Sequence, residues 1–419
     1  MLFAIARVPA MTASSRVRAL PALLTAVVLV AACSGDSGEA GEAEDAGAGG
    51  SSGTEAAAAP AEVEEFTGPV EDFYAVPDPL PAGEPGDLIR TMPIEAPAGE
   101  AGVRVMYHST DAEGDDRAVT GVVYYPTEAP GDEGWPIVAW AHGTSGLAPA
   151  CAPSRVPMDS PGFGVRGVRV ATDYIGLGPD GELHPYLSAA AEGHAVIDGV
   201  AAARALPEAN AGDRWVVTGH SQGGHAALVT GEMAAERLPE AELLGTVAIA
   251  PGSQLAETYG DDVQTRIITA MVLFGAAAED PAIDPRDFLG PEAYEAAAGV
   301  VEDTCLGEII AALVPVAASP DFYVTDPRTD PVGSAWLEEN DPGQVASDAP
   351  LLLVQGGQDA IVLPARTEAL FERLCGLGQV VERIDLPDAD HDTEPSEAGD
   401  EIAAWLDARF AGEPAADDC

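Results

Sequence analysis

Gly219-His220-Ser221-Gln222-Gly223 places one serine between two glycines, after a strand-like Trp215-Val216-Val217-Thr218 and before a helix-like Gly224-His225-Ala226-Ala227-Leu228-Val229. A sharp strand-to-helix turn forces unfavourable backbone angles on its central residue. Side chains two positions away would then collide with the flanking strand and helix, so glycine is needed at both. Such a turn presents Ser221 Oγ at the end of a sheet as a nucleophile for acyl transfer. The helix that follows aims its first amides at the same spot, which makes the Gln222 N–H a donor to a developing oxyanion.

A serine nucleophile needs a base. All 19 basic residues are arginine, so a Ser-Lys dyad is impossible and histidine must serve. Of the seven histidines, only His225 and His391 follow Ser221. His225 lies one helical turn past the serine and reads as a packing or supporting residue, which leaves His391. That histidine sits in the polar loop Pro387-Asp388-Ala389-Asp390-His391-Asp392, between an alternating strand at 379–386 and a helix at about 396–410. Upstream, Pro350-Leu351-Leu352-Leu353-Val354-Gln355 reads as a strand buried on both faces, and it runs into Gly356-Gly357-Gln358-Asp359. Asp359 is therefore the carboxylate placed to orient the imidazole; Asp388, Asp390 and Asp392, close to the histidine in sequence, are expected to face solvent. The chain order Ser, Asp, His is that of the α/β-hydrolase fold.

A second oxyanion donor is expected after an earlier strand. Trp135 to Ala141 is such a strand, followed by His142-Gly143-Thr144-Ser145-Gly146, where Gly143 or Thr144 offers an N–H; Thr144 is preferred because its hydroxyl adds a further donor. Taken together, His142-Gly143-Thr144-Ser145-Gly146, Ala171-Thr172-Asp173-Tyr174-Ile175-Gly176-Leu177-Gly178, His184-Pro185-Tyr186-Leu187 and Gly219-His220-Ser221-Gln222-Gly223-Gly224-His225 resemble the secretory lipase family of α/β-hydrolases over about residues 70–410. The family includes fungal lipase A-type enzymes, which cleave triacylglycerols, and more diverse actinobacterial relatives. The resemblance implies triad roles for Ser221, Asp359 and His391, and a cap over an acyl-binding cleft.

The expected fold class is therefore α/β: an α/β-hydrolase fold with a mostly parallel central sheet, helices on both faces and an inserted cap. The core occupies residues 66–251 and 349–419, and the cap residues 252–348. Strands are expected at 119–126, 136–142, 168–173, 215–219, 245–250, 350–355 and 379–386, with helices at 186–206, 222–237 and 396–410. In the cap, helix-like patches run near Val263 to Ala278 and Gly290 to Val316; Met271 to Phe274 and Ile309 to Val314 either line an acyl pocket or pack the cap on the core. Gly176-Leu177-Gly178-Pro179-Asp180-Gly181 satisfies G-x-G-x-x-G, but Pro179-Asp180-Gly181 makes a turn and opens no helix, so a dinucleotide site is rejected. Asp173 and Tyr174 are expected to tie loops together there.

Residues 1–32 read as a signal peptide, with Arg16 and Arg18 before a short apolar run and Met11 as an alternative start to Met1. Val30-Ala31-Ala32-Cys33 resembles a bacterial lipobox, which would put a lipid anchor on Cys33 and hold the protein at the membrane of the cell surface. Residues 33–65 form an acidic Gly/Ala/Ser/Glu tether that cannot bury a core. Cys151, Cys305, Cys375 and Cys419 form an even set suited to an oxidising compartment; three pairings are open by spacing, and the family resemblance implies 151 with 305 and 375 with 419. A net charge of −51 argues against nucleic acid as a partner. No C-x-x-C or H-E-x-x-H is present, so neither metal nor cofactor is expected. The reading is a serine ester hydrolase acting on ester or lipid substrates. Its competitors are a peptidase or other acyl hydrolase of the same fold and a non-catalytic surface lipoprotein.

Overall fold

The computed structural model describes residues 62–156, 161–179, 181–260 and 262–419. The expected signal peptide, Cys33 and the tether up to residue 61 lie outside them.

Ten strands make one sheet: β1 (Glu64–Glu65), β2 (Leu88–Ile94), β3 (Glu100–Thr110), β4 (Asp116–Pro126), β5 (Trp135–Ala141), β6 (Val168–Thr172), β7 (Ala211–His220), β8 (Glu242–Ile249), β9 (Leu351–Gly356) and β10 (Val381–Leu386). Their spatial order is β1-β2-β3-β4-β6-β5-β7-β8-β9-β10. β2, β3, β4 and β6 are joined antiparallel, and from β6 through β10 every pairing is parallel. The helices are α1 (Val70–Phe73), α2 (Ala189–Ala205), α3 (Gln222–Arg237), α4 (Val263–Glu279), α5 (Pro291–Ala298), α6 (Leu306–Ala317), α7 (Pro331–Glu339), α8 (Pro364–Leu377), α9 (Glu394–Glu397) and α10 (Gly399–Phe410).

The expected two-sided sheet follows from the side chains of its middle strands. In β9, Leu351 and Leu353 pack with Leu370 and Leu374 of α8, whereas Leu352 and Val354 pack with Ile402 and Leu406 of α10. β7 divides in the same way, with Trp215 and Val217 against the α2 and α3 side and Val216 against the α10 side. A strand buried on both faces must be apolar at every position, and this is why β9 reads as a continuous run.

Residues 250–350, between β8 and β9, carry α4 to α7 and a core of their own, in which Met271, Leu273, Ile309, Leu313 and Phe322 are buried. Met271 to Leu273 thus pack inside the insertion, as do Ile309 and Leu313, while Ile310 and Val314 on the outer side of α6 are exposed. The expected patch from Gly290 to Val316 is two helices, broken between α5 and α6. Two disulfides form, Cys151–Cys305 and Cys375–Cys419, with Cα separations of 5.5 and 5.3 Å. The first fastens the start of α6 to the loop after β5, where Leu306 N–H also donates to Ser145 O at 2.9 Å. No helix among the described residues is long and apolar enough to cross a membrane.

Candidate active site

β7 ends at His220 and α3 begins at Gln222, so Ser221 alone makes the turn, with φ 61° and ψ −117°. Few residues other than glycine take such angles, and they persist only where the surroundings fix them. Here the Ser221 N–H donates to Ile249 O of β8 at 2.9 Å, and Ser221 O accepts from the N–H groups of His225 and Gly252 at 3.1 and 3.0 Å. The two flanking glycines are sterically required. A Cβ on Gly219 would lie 1.9 Å from Gly223 O, and one on Gly223 would lie 1.9 Å from Ala141 O.

Asp359 follows β9 in the loop before α8, and His391 lies in the loop between β10 and α9. The parallel pairing of β9 with β10 sets both loops at the same sheet edge, and His391 Nδ1 meets Asp359 Oδ2 at 2.7 Å. The other oxygen, Oδ1, accepts the N–H groups of Ile361 and Val362 at 2.7 and 3.0 Å. Burial alone would raise the Asp359 pKa, but the bond to His391, the charge of that ring and the two amides outweigh it and hold the carboxyl below its ordinary value. Asp388, Asp390 and Asp392 are exposed, as expected.

The Gln222 N–H opens α3 and, as a first-turn amide, has no acceptor within the helix. Its side chain turns inward, where Nε2 donates to Glu192 Oε1 at 2.7 Å and meets His184 Nε2 at 2.7 Å. Beneath the serine this becomes a buried network, because His225 Nδ1 bonds Glu192 Oε2 at 2.6 Å and His225 Nε2 bonds Asn340 O at 2.9 Å. The Glu192 pKa is lowered to about 2 despite its burial, by the charge of and bonds from the two histidines, and His225 is raised in return by Glu192. His225 is therefore a supporting residue.

The loop after β5 reaches the same place. A Cβ on Gly143 would lie 3.3 Å from His220 O and 3.8 Å from Ser221 Cβ. Thr144 Oγ1 pairs with Tyr186 Oη at 2.8 Å, so its hydroxyl already has a partner. The loop is held by Tyr174 Oη donating to His142 O at 2.9 Å, while the buried Asp173 accepts Thr120 Oγ1 at 2.6 Å and Ser154 N–H at 2.8 Å. Asp173 and Tyr174 tie loops together as expected, and no helix opens in the described residues around Gly176 and Gly178.

Two residues at the site carry no signal in the sequence. The His220 ring lies against that of His391, with centroids 4.5 Å apart, and burial first, then the neighbouring imidazole, lowers its pKa to about 4. Glu394 is fully buried beside the Asp359–His391 pair, and its Oε1 accepts Gly356 N–H at 2.6 Å. Among the described residues, His220, His391 and Glu394 bring potential metal-ligand atoms within 4.8 Å of one another. Within this grouping, His391 Nδ1 is committed to Asp359 and Glu394 Oε1 to the Gly356 N–H. A narrow cleft opens at Ser221, lined by Ile361, Val362 and Arg366 together with Thr258, Thr265 and Ile268 of the insertion.

The sheet order, the serine turn between β7 and α3, and the acid and histidine after β9 and β10 define an α/β-hydrolase fold. A sequence profile of the secretory lipase family matches residues 164–418, and the chain belongs to that family, which makes it an ester hydrolase and implies export. Among solved structures it is similar to Candida antarctica lipase A in its closed state, with TM-score 0.67 and 16% identity over 82% of this chain and 86% of that one. It is also similar to the rice cell wall degrading esterase LipA from Xanthomonas oryzae, with TM-score 0.65 and 19% identity over 79% of this chain and 100% of that one. No curated protein matches the chain in sequence.

Proposed function

We propose that the protein is a serine carboxylic-ester hydrolase of the triacylglycerol lipase and esterase type, working through an acyl-enzyme. Ser221 Oγ attacks the ester carbonyl while His391 takes its proton, and Asp359 steadies the imidazolium that forms. The N–H groups of Gln222 and Thr144 stabilise the tetrahedral oxyanion. His391 then protonates the leaving alcohol and afterwards activates the water that releases the acid. The 2.7 Å bond between Asp359 and His391, at the sheet edge where Ser221 is held at φ 61°, carries this reading. The insertion at 252–348 acts as a cap, since Thr258, Thr265 and Ile268 wall the cleft at Ser221. Export ends in lipidation of Cys33, which leaves the enzyme at the cell surface.

Hydrolysis of 4-nitrophenyl esters from acetate to palmitate, then of emulsified triacylglycerol, tests the reading against the Ser221→Ala variant. The variant is expected to lose about a thousand-fold or more in kcat/KM. Activity reaching long chains and emulsion marks a lipase; activity limited to short esters marks a carboxylesterase under a closed cap. Full activity in Ser221→Ala would refute the mechanism, and a wild type inert on every ester would favour amide substrates instead.

A further inference from the structure

Arg366 is the one charged residue among the described residues that line the cleft at Ser221. It stands in the first turn of α8. Its Nη2 donates to the backbone O of Glu257 at 2.6 Å, and that is its one protein acceptor among the described residues. A guanidinium has five N–H donors in a planar fork, so most of this one is uncommitted. The carboxylates of Glu257, Asp262 and Asp359 act on it through space, but none forms an ion pair with it. Asp359 is committed to His391, Ile361 and Val362, and Asp262 binds the Thr265 N–H at 3.0 Å.

The position disfavours a cation in two ways. Burial pushes the guanidinium pKa down even against those three carboxylates, and the N-terminus of α8 presents the positive end of its dipole. Arginine nonetheless stays charged. The three carboxylates act on this half-buried guanidinium only from a distance, and an anion entering the cleft would supply the direct partner that none of them provides. The surrounding molecule does the opposite: with a net charge of −51 its overall field repels anions. Within the lining of the cleft itself, Arg366 is the one charged side chain an entering anion would meet.

We propose that the cleft selects esters bearing an anionic oxyacid group, a carboxylate or a phosphate, on the acyl or alcohol portion, and that Arg366 binds that group. This rests on the ester-hydrolase reading of Ser221 and adds a substrate class to it. The anion pairs with the free edge of the guanidinium in the two-pronged geometry that arginine offers to carboxylate and phosphate. The ester carbonyl meanwhile lies at Ser221.

The test uses three 4-nitrophenyl esters of one acyl length, the neutral pentanoate and analogues ending in a carboxylate or a phosphate monoester, with wild type, Arg366→Gln and Arg366→Lys. The readout is the ratio of kcat/KM for each charged ester to that for the neutral one, which cancels any loss common to all substrates. The ratio is expected to fall about tenfold or more in Arg366→Gln, with Arg366→Lys between it and wild type. Whichever charged ester has the larger wild-type ratio identifies the source of the anion. A ratio unchanged in Arg366→Gln would overturn the proposal and leave Arg366 as a strut for the Glu257 segment. Competitive inhibition of the wild type by pentanoate but not by pentanamide supports the same site without a variant; equal inhibition by both overturns it. Failure on the neutral ester as well would instead overturn the hydrolase reading beneath it.

Discussion

At the scale of single residues, Glu394 is expected to make stability depend on pH. Burial first, and then the charge of Asp359, push its pKa from an ordinary 4.5 up to about 8, against the opposing pull of the Gly356 N–H. A carboxyl with a higher pKa in the folded state holds its proton more tightly there. Its contribution to stability is therefore complete below about pH 4.5 and is lost as the pH rises through 8. Glu394→Gln keeps the shape and cannot ionise. Between pH 5 and 9 the wild type is expected to lose on the order of a few kcal/mol relative to this variant, read as a Tm that falls with pH in the wild type and stays flatter in Glu394→Gln; parallel curves would exclude the role. The placement of Ser221, Asp359 and His391 just past strands of one sheet was legible in the sequence because each of those strands is recognisable. Glu394 was not, because it stands in the run Asp388, Asp390, Asp392, Glu394, where only packing separates one buried acid from its exposed neighbours. The surroundings of His220 and Arg366 were not legible for the same reason: each meets an element distant in sequence, the loop after β10 for one and the insertion for the other.

Among the elements, the strand-turn-helix at Ser221 makes the sharpest demand on sequence. Gly223→Ala would set a Cβ 1.9 Å from Ala141 O, in the backbone of β5. Neither strand nor helix can retreat without dislodging Ser221, so a loss of roughly 3 kcal/mol or more is expected, seen as a large drop in Tm together with activity. Gly376→Ala makes the contrast. It lies inside α8, nothing meets its would-be Cβ within 4 Å, and the change should stabilise by about 0.5–1 kcal/mol. Equal Tm values for the two variants would show that packing at the turn does not control it. The parallel half of the sheet was legible because its strands are apolar on both faces. β2 and β3 escaped because β2 contains Pro93, and because β3 buries Arg104, His108 and Ser109, whose partners Ser154, Asp116 and Asp198 belong to other elements. α8 escaped because its buried face is only Thr367, Leu370 and Leu374, in a segment broken by Gly376.

For the whole molecule, charge and location pull against each other. With 70 acidic residues against 19 arginines, the chain is repelled by anionic bilayers, and a surface patch basic enough to hold it there would have to overcome a net charge of −51. No described helix can span the membrane. If the enzyme works at the cell surface, a covalent lipid at Cys33 is the attachment proposed for it. Two or more acyl chains on one residue hold a protein stably, and salt does not weaken hydrophobic insertion as it weakens ionic adsorption. The wild type is accordingly expected to sediment with membranes and to stay there through a high-salt wash, whereas Cys33→Ala should appear in the soluble fraction with its ester hydrolysis intact. Membrane retention of Cys33→Ala would reject the anchor. Release of the wild type by salt alone would point to a basic contact strong enough to act against the field of the whole chain.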